Sequence, residues 1–214
     1  MGTSRRFNLG GTEMNIRIAA LCILLIAPSA LAQKYGEFGK TGAAERTAML
    51  KTFERGKQMK GSREQYQHLT QVFAVARENS SETPEQAIAR AGGSGAQLVE
   101  TKGGLVLYRE KTASPAQLKR VGGTTVYPTA VNIRTGTLGV LTGMLVVKPK
   151  NMADADAIAA SHGLEKTKAY LQLQTVFYRA KANVDIADIS AALQGDPRVE
   201  SAYPEIVERV RVPK

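Results

Sequence analysis

The side chains that could do chemistry are few and scattered along the chain. The two histidines, His68 and His162, have no neighbours at a spacing that would hold a metal ion. His162 falls in the last turn of a predicted helix, where a cation interacts well with the helix dipole. The serines are isolated, and the sequence has no Gly-x-Ser-x-Gly elbow, phosphate loop or Gly-x-Gly-x-x-Gly run. We therefore expect a protein that is not an enzyme and that has no metal site and no cofactor.

The N-terminus has the three parts of a secretory signal. Met14-Asn-Ile-Arg17 is a positive start, Ile18–Ala27 is a short apolar run, and Ala30-x-Ala32 is a cleavage site. Residues 1–32 are thus predicted to be a signal segment, with Met14 as an alternative start. We expect a periplasmic or secreted protein with no stable membrane insertion after cleavage. Ser4-Arg5-Arg6-Phe7 suggests a twin-arginine signal as the alternative export route, although its spacing to the apolar run is long.

The charge balance leaves several classes of partner open. The formal net charge is +10, and removal of the signal leaves the chain strongly basic. Basic proteins bind nucleic acid, anionic lipid or acidic proteins. Export and the absence of an aromatic-basic stacking motif argue against nucleic acid. The single cysteine, Cys22, lies in the signal, so the exported part is expected to form no disulfide.

The exported part before residue 138 divides into three segments by composition and periodicity. Residues 33–60 are polar and rich in Gly and Lys, which predicts a mobile leader. Residues 61–95 are predicted to be a helical extension, with one helix from Ser62 through Asn79 and a shorter one between Thr83 and Gly93. From Ala96 the apolar period is two, so residues 96–137 are interpreted as a small β segment.

The segment from residue 138 has the clearest pattern, a β-α-β-β-α-β order with short connections. This order predicts a ferredoxin-like sandwich, in which an antiparallel sheet carries both helices on one face. The predicted class is therefore α+β, with a domain at 138–205 and an extended tail at 206–214. The predicted elements are a strand at Leu138–Lys148, a helix from Asn151 to His162, strands at Glu165–Leu171 and Gln174–Ala180, a helix beginning at Asn183 or Asp185, and a strand at Arg198–Tyr203.

Helices on one face leave the opposite face of such a sheet uncovered. The two hairpin strands are apolar on both parities, whereas a half-exposed sheet alternates apolar and polar residues. One parity carries Tyr170, Val176 and Tyr178, and the other carries Phe177. We interpret these four residues as a candidate docking face. The alternative is a tighter core, or cover by residues 96–137.

The element order and the run Asp196-Pro197-x-Val199, followed by a basic C-terminus, resemble the propeptide of subtilisin-like serine proteases over about residues 138–214. In that family the open sheet face rests on two helices of the protease. The resemblance implies an exported chaperone and inhibitor whose partner is a subtilisin-family protease. Residues 33–137 have no counterpart in ordinary subtilisin propeptides. A separately encoded chaperone with such an extension resembles the external chaperones of kexin-like bacterial subtilases.

The resemblance also implies roles for residues near the C-terminus. Glu205 falls where the family carries an acidic residue that caps a protease helix, although Tyr203 and Pro204 replace the acidic or small residues usual there. The family's last residues lie in the protease cleft as a bound product. Here Lys214, Pro213, Val212 and Arg211 would fill the first to fourth pockets, and no scissile bond follows Lys214.

The basic residues of the predicted tail, Arg211 and Lys214, indicate which class of protease cleft it would fit. Arg-x-x-Lys suits a basic-specific, kexin-like cleft, whose buried carboxylates need cationic partners. A frayed and solvated C-terminus is the alternative for these four residues. The rival function for the whole chain is a periplasmic structural or interaction protein with a ferredoxin-like domain and no protease partner, because that fold hosts many functions.

Overall fold

The structure, a computed structural model, describes residues 48–208. Within this range the protein is α+β, and none of its helices is long and apolar enough to span a membrane. The helices are α1 Pro84–Arg90, α2 Ala155–Ser161 and α3 Ile186–Gly195. The strands are β1 Arg55–Lys60, β2 Gln65–Ala76, β3 Gln97–Lys102, β4 Leu105–Arg109, β5 Lys119–Val121, β6 Thr124–Asn132, β7 Leu138–Pro149, β8 Glu165–Tyr170, β9 Thr175–Arg179 and β10 Val199–Val207.

The described strands form one sheet with antiparallel pairings, and β7 is the strand on which its two halves meet. The order is β3-β4-β2-β6-β7-β9-β8, with β1 on β2, β5 on β6 and β10 on β7. β10 pairs along one edge of β7, while β6 and then β9 share the other edge. The partner changes around Gly143, which has a φ of +83°. A Cβ at Gly143 would lie 2.3 Å from Leu118 Cδ1, so this position requires glycine.

The C-terminal half of the sheet follows the order β10-β7-β9-β8 and is covered on one face by α2 and α3. Successive strand residues point to opposite faces, so alternate residues of β7 and β9 enter this core. The pattern is consistent with the predicted β-α-β-β-α-β series of elements. The buried side chains include Leu145, Val147, Ile158, Val176, Tyr178, Ile186 and Leu193.

Side-chain caps begin two of the helices at residues that the sequence points to. Thr83 and Gln86 form a reciprocal capping box at the start of α1. Asp185 caps α3 by accepting hydrogen bonds from the backbone N–H groups of Ala187 and Asp188. Of the two starts predicted for this helix, Asp185 is therefore the correct one, and Asn183 instead adopts a left-handed conformation with a φ of +66°.

The helix predicted from Ser62 through Asn79 is wrong, because this stretch contains the twelve-residue strand β2. Tyr66, Leu69 and Phe73 do have helical spacing, but the four consecutive residues from Val72 to Val75 are all buried. Burial of a continuous run requires cover on both faces, which a central strand has and an amphipathic helix lacks. On one face of β2, Val72 and Ala74 pack in a core that includes the segment before β1. On the other face, Phe73 and Val75 pack in a core with α1. β1 and β4 pair along one edge and β6 along the other.

The leader predicted at residues 33–60 is not mobile in its described part, which starts at residue 48. Leu50 and Phe53 are buried in the core formed with Leu69 and Leu107. β1 then pairs with β2, which places Met59 in the C-terminal core. The apolar side chains are few but well spaced, so composition alone underestimates their burial. Residues 33–47 and the predicted signal lie outside the described residues.

The last strand is longer than the sequence predicts. β10 continues past Tyr203 to Val207, so residues 206 and 207 belong to the sheet instead of the extended tail. A register shift between Pro204 and Ile206 lets the strand continue past the proline. Proline has no N–H for the ladder and is tolerated in sheets at such irregularities.

Candidate protein-binding face

The face of the C-terminal sheet opposite α2 and α3 carries a row of large side chains. Phe177 in β9 pairs with Val146 in β7, and Val146 pairs on its other side with Tyr203 in β10. All three are half-buried, and they alternate with the core residues of their strands. The Tyr170 ring meets the Phe177 ring edge-on, with 5.7 Å between the centroids. We call this surface the open face.

Two of the four residues predicted to form the docking face do not lie on it. Val176 and Tyr178 are completely buried beneath the helices. The Tyr178 hydroxyl donates a hydrogen bond of 2.8 Å to the Ala155 carbonyl oxygen, and burial, followed by the charge of Asp156, raises the pKa of Tyr178 to about 12. These are core residues, because the helices need the alternate residues of β9 to pack against. Tyr170 and Phe177 share the open face.

The tip of the β8–β9 hairpin extends the open face and was missed by the sequence reasoning. Leu171 and Leu173 lie in a 3₁₀ turn and are 72% and 65% exposed. Gln174 closes the turn in a left-handed conformation with a φ of 47°. The signal that could have identified this tip is the pair of leucines at the short connection between the two predicted hairpin strands. Together with Tyr170 they place three exposed apolar side chains within four residues, and exposed apolar surface is a mark of interaction sites.

Basic side chains border this apolar patch. Lys168 pairs with Phe177 across the hairpin, and its Nζ lies 4.6 Å from the centroid of the Tyr170 ring. Arg179 follows two residues after Phe177 and is exposed. Neither cation has a carboxylate partner among the described residues. The open face is thus apolar in its middle and positive at this border, which suits a partner surface with acidic groups.

Glu205 lies near the end of β10, beyond Tyr203. Its Oε2 accepts a hydrogen bond of 2.6 Å from the Thr142 hydroxyl, which fixes the side chain against β7. The carboxylate is half-buried, and its other oxygen makes no hydrogen bond with any described residue. An oriented carboxylate with one free oxygen can accept backbone N–H groups from a partner.

The Asp196-Pro197-x-Val199 run is a structural turn between α3 and β10. The Asp196 carboxylate accepts hydrogen bonds from the Arg198 guanidinium and backbone N–H and lies 2.9 Å from His162 Nε2. The Arg198 side chain first, and His162 second, hold the pKa of Asp196 well below its usual range. His162 thus ties the end of α2 to this turn, in keeping with a structural role.

The second histidine is also structural. His68 is 2% exposed, and burial lowers its pKa to about 4, so it is neutral near pH 7. Its Nε2 has no hydrogen-bond partner among the described residues. No group of three or more metal-ligating side chains occurs within residues 48–208. The predicted tail residues Arg211, Val212, Pro213 and Lys214 lie outside that range.

Comparison with known proteins gives one family. Residues 57–213 match the family model described as the Open reading frame 2 N-terminal domain. No curated protein matches the chain. Among solved structures, one chain of the complex of Aeromonas sobria serine protease (ASP) and the chaperone (ORF2) is 22% identical, over 45% of this chain and 99% of that chain, with a TM-score of 0.34. This likeness is too low to establish a shared fold. Because the family model spans more than half of the sequence, the chain belongs to the Open reading frame 2 N-terminal domain family.

Proposed function

We propose that this protein is a chaperone of a serine protease and that it binds the protease through the open face. The observation that carries the proposal is the asymmetry of the C-terminal sheet. Its inner face is packed under two helices, while its outer face keeps the Phe177–Val146–Tyr203 row and the exposed tip at Leu171 and Leu173. Exposure of apolar surface to water is unfavourable, so burial of this surface against a partner would stabilise the complex.

The family designation helps to choose the partner. The chaperone in the Aeromonas sobria complex with a serine protease is likewise called ORF2. This shared designation makes a serine protease the partner to test first. The strand order β10-β7-β9-β8, with α2 and α3 on one face, supports the finer proposal of a ferredoxin-like, propeptide-like unit and a subtilisin-type protease.

In the proposed mechanism, the open face acts as a preformed surface on which helices of the protease pack. Proteases of the subtilisin type have many non-local contacts and fold slowly, so a rigid template lowers the cost of bringing distant segments together. The free oxygen of Glu205 would accept N–H groups at a protease helix N-terminus. The basic residues Arg211 and Lys214 would enter an acidic substrate cleft and inhibit the folded protease, which for this residue pattern would be of the basic-specific, kexin-like type.

Export is part of the same proposal. A chaperone of a secreted protease has to reach the compartment where the protease folds, and the predicted signal at residues 1–32 would take it to the periplasm or beyond. N-terminal sequencing of the exported protein should find Gln33 as the first residue. A retained Leu24–Ile26 segment would contradict cleavage at that site.

The direct test is refolding of a denatured subtilisin-type protease with and without the exported chain. The wild-type protein should raise the yield of active protease after its own removal and should inhibit the folded enzyme. The double variant Leu171→Asp/Leu173→Asp should lose both effects, while Gln172→Asp, which adds one negative charge between those residues, should retain most of them. No effect of the wild-type protein would reject the proposal and favour a structural protein without a protease partner. A fully active double variant would exclude the hairpin tip as a contact.

A further inference from the structure

The end of β10 lies across a position that has no room for a side chain. Ile206 and Val207 pair with Leu141 and Val140 on β7. A Cβ at Gly139 would lie 2.4 Å from Ile206 Cγ2 and 3.6 Å from Glu208 Cγ. Gly139 has no positive φ that would require glycine for backbone reasons. Its missing side chain therefore serves the close passage of the last strand.

Asn132 at the end of β6 presents its amide to the same point. Its Oδ1 accepts hydrogen bonds from the backbone N–H groups of Arg134 (3.0 Å) and Thr135 (3.1 Å), which closes the turn between β6 and β7. With the oxygen so engaged, the Nδ2 is directed at Glu208 Oε1, at 2.9 Å. Asn132 is 2% exposed and Glu208 is half-buried, so this hydrogen bond to a carboxylate is partly shielded from water.

Tyr66 on β2 is a neighbour of this contact. It pairs with Asn132 in the sheet and is buried. Its pKa is raised to about 12, first by burial and second by its interaction with the Glu208 carboxylate. Arg134, which forms an ion pair with Glu64, adds positive charge near Glu208. A carboxylate at the end of the C-terminal strand is thus held by residues from the N-terminal part of the sheet.

We propose that Asn132 and Gly139 form an exit clamp on Glu208, which fixes where and in which direction the following residues leave the protein. The inference rests on the proposed function, since those residues include Arg211–Lys214, the segment proposed to enter a protease cleft. A segment whose root is fixed loses less freedom on binding and reaches its site at a higher effective concentration. The clamp also assigns a role to strands outside the C-terminal half: they position the exit of the chain.

The first arm of the test measures hydrogen exchange in the free, full-length exported protein. Glu208→Ala and Gly139→Ala should each speed exchange in residues 205–208 by about tenfold, because a shielded hydrogen bond or its packing is lost. Residues 199–203 of the same strand should be unaffected. Glu208→Gln keeps an acceptor oxygen for Asn132 and should retain most of the protection. The matched control is Glu200→Ala on the same strand, β10, which removes an exposed salt bridge with Lys148 of β7.

The second arm measures the affinity for a subtilisin-type protease in two backgrounds, with residues 211–214 and without them, where the open face alone is expected to bind. Glu208→Ala should weaken binding by about tenfold in the full chain and have no effect in the truncated chain, because the clamp acts through those residues. Equal weakening in both backgrounds would overturn the positioning role, as would exchange that is unchanged at residues 205–208 or accelerated along the whole strand. Failure of the wild-type protein to bind any such protease would reject the proposed function, while the exchange arm would still decide whether the clamp exists.

Discussion

Phe177 and Tyr178 are neighbours on β9 but point to opposite faces of the sheet. Truncation of Tyr178 should mainly lower stability, whereas truncation of Phe177 should mainly weaken protease binding. Tyr178 is fully buried and donates a hydrogen bond to the Ala155 carbonyl oxygen. Tyr178→Ala leaves a large cavity and removes the hydrogen bond to this carbonyl, and removal of a buried aromatic costs about 3–5 kcal/mol. Since the free energy of unfolding of a typical protein is about 5–15 kcal/mol, this variant should be severely destabilised or unfolded.

Phe177→Ala should behave differently, because the Phe177 ring is half-buried and its main ring partner is Tyr170. Loss of an edge-on aromatic pair costs about 0.5–1.5 kcal/mol beyond the lost area. We expect the unfolding free energy to fall by roughly 1–2 kcal/mol, which leaves the fold intact. A buried aromatic in the middle of an interface contributes about 2 kcal/mol or more, so protease binding should weaken by about thirtyfold.

Urea unfolding followed by circular dichroism, and titration of a subtilisin-type protease, separate the two effects. Gln172→Ala on the hairpin tip is the surface control and should change neither quantity. Binding by Phe177→Ala at the wild-type affinity would refute the assignment of the open face. A loss of stability as large as that of Tyr178→Ala would show instead that Phe177 is a core residue.

Four further results are expected. The folded-state pKa of His68 is about 4, below the value of 6.5 for an unfolded histidine. The contribution of His68 to the free energy of unfolding is therefore complete above pH 6.5 and falls by about 3 kcal/mol as the pH drops towards 4. Replacement of His68 by Gln should remove this pH dependence in urea titrations at several pH values. Gly143→Ala should lower the unfolding free energy by about 2 kcal/mol or more, because of the positive φ and the contact with Leu118, whereas alanine at the exposed Gly195, where a Cβ meets no atom, should cost little. Deletion of Arg211–Lys214 should abolish protease inhibition and leave the melting temperature unchanged. If inhibition persists, the open face alone must be responsible for it. Lys214→Ala alone should weaken inhibition by about 2–4 kcal/mol if a buried carboxylate of the cleft loses its partner.

Local chemistry made several helix boundaries predictable. Thr83 with Gln86, and Asp185 before an apolar period, are N-terminal signals whose hydrogen bonds involve residues two or three positions away. Asp196-Pro197 ends α3 for an equally local reason, because the proline cannot continue a helix. Such interactions need no distant partner, so the sequence by itself determined these elements and their order, and with them the expectation of an uncovered sheet face.

The tertiary structure decided the features that depend on distant neighbours. Residues 65–76 form a strand, despite their helical spacing, because β4 and β6 pair along its edges while two separate cores cover its two faces. The hairpin strands are apolar on both parities, so only the packing of α2 and α3 determines that Tyr178 lies in the core and Phe177 on the open face. The hydrogen bond to Glu208 joins residues 76 positions apart, through an asparagine whose local role is to close a turn. Periodicity specifies which residues share a face, but the neighbour that covers that face is a property of the assembled sheet.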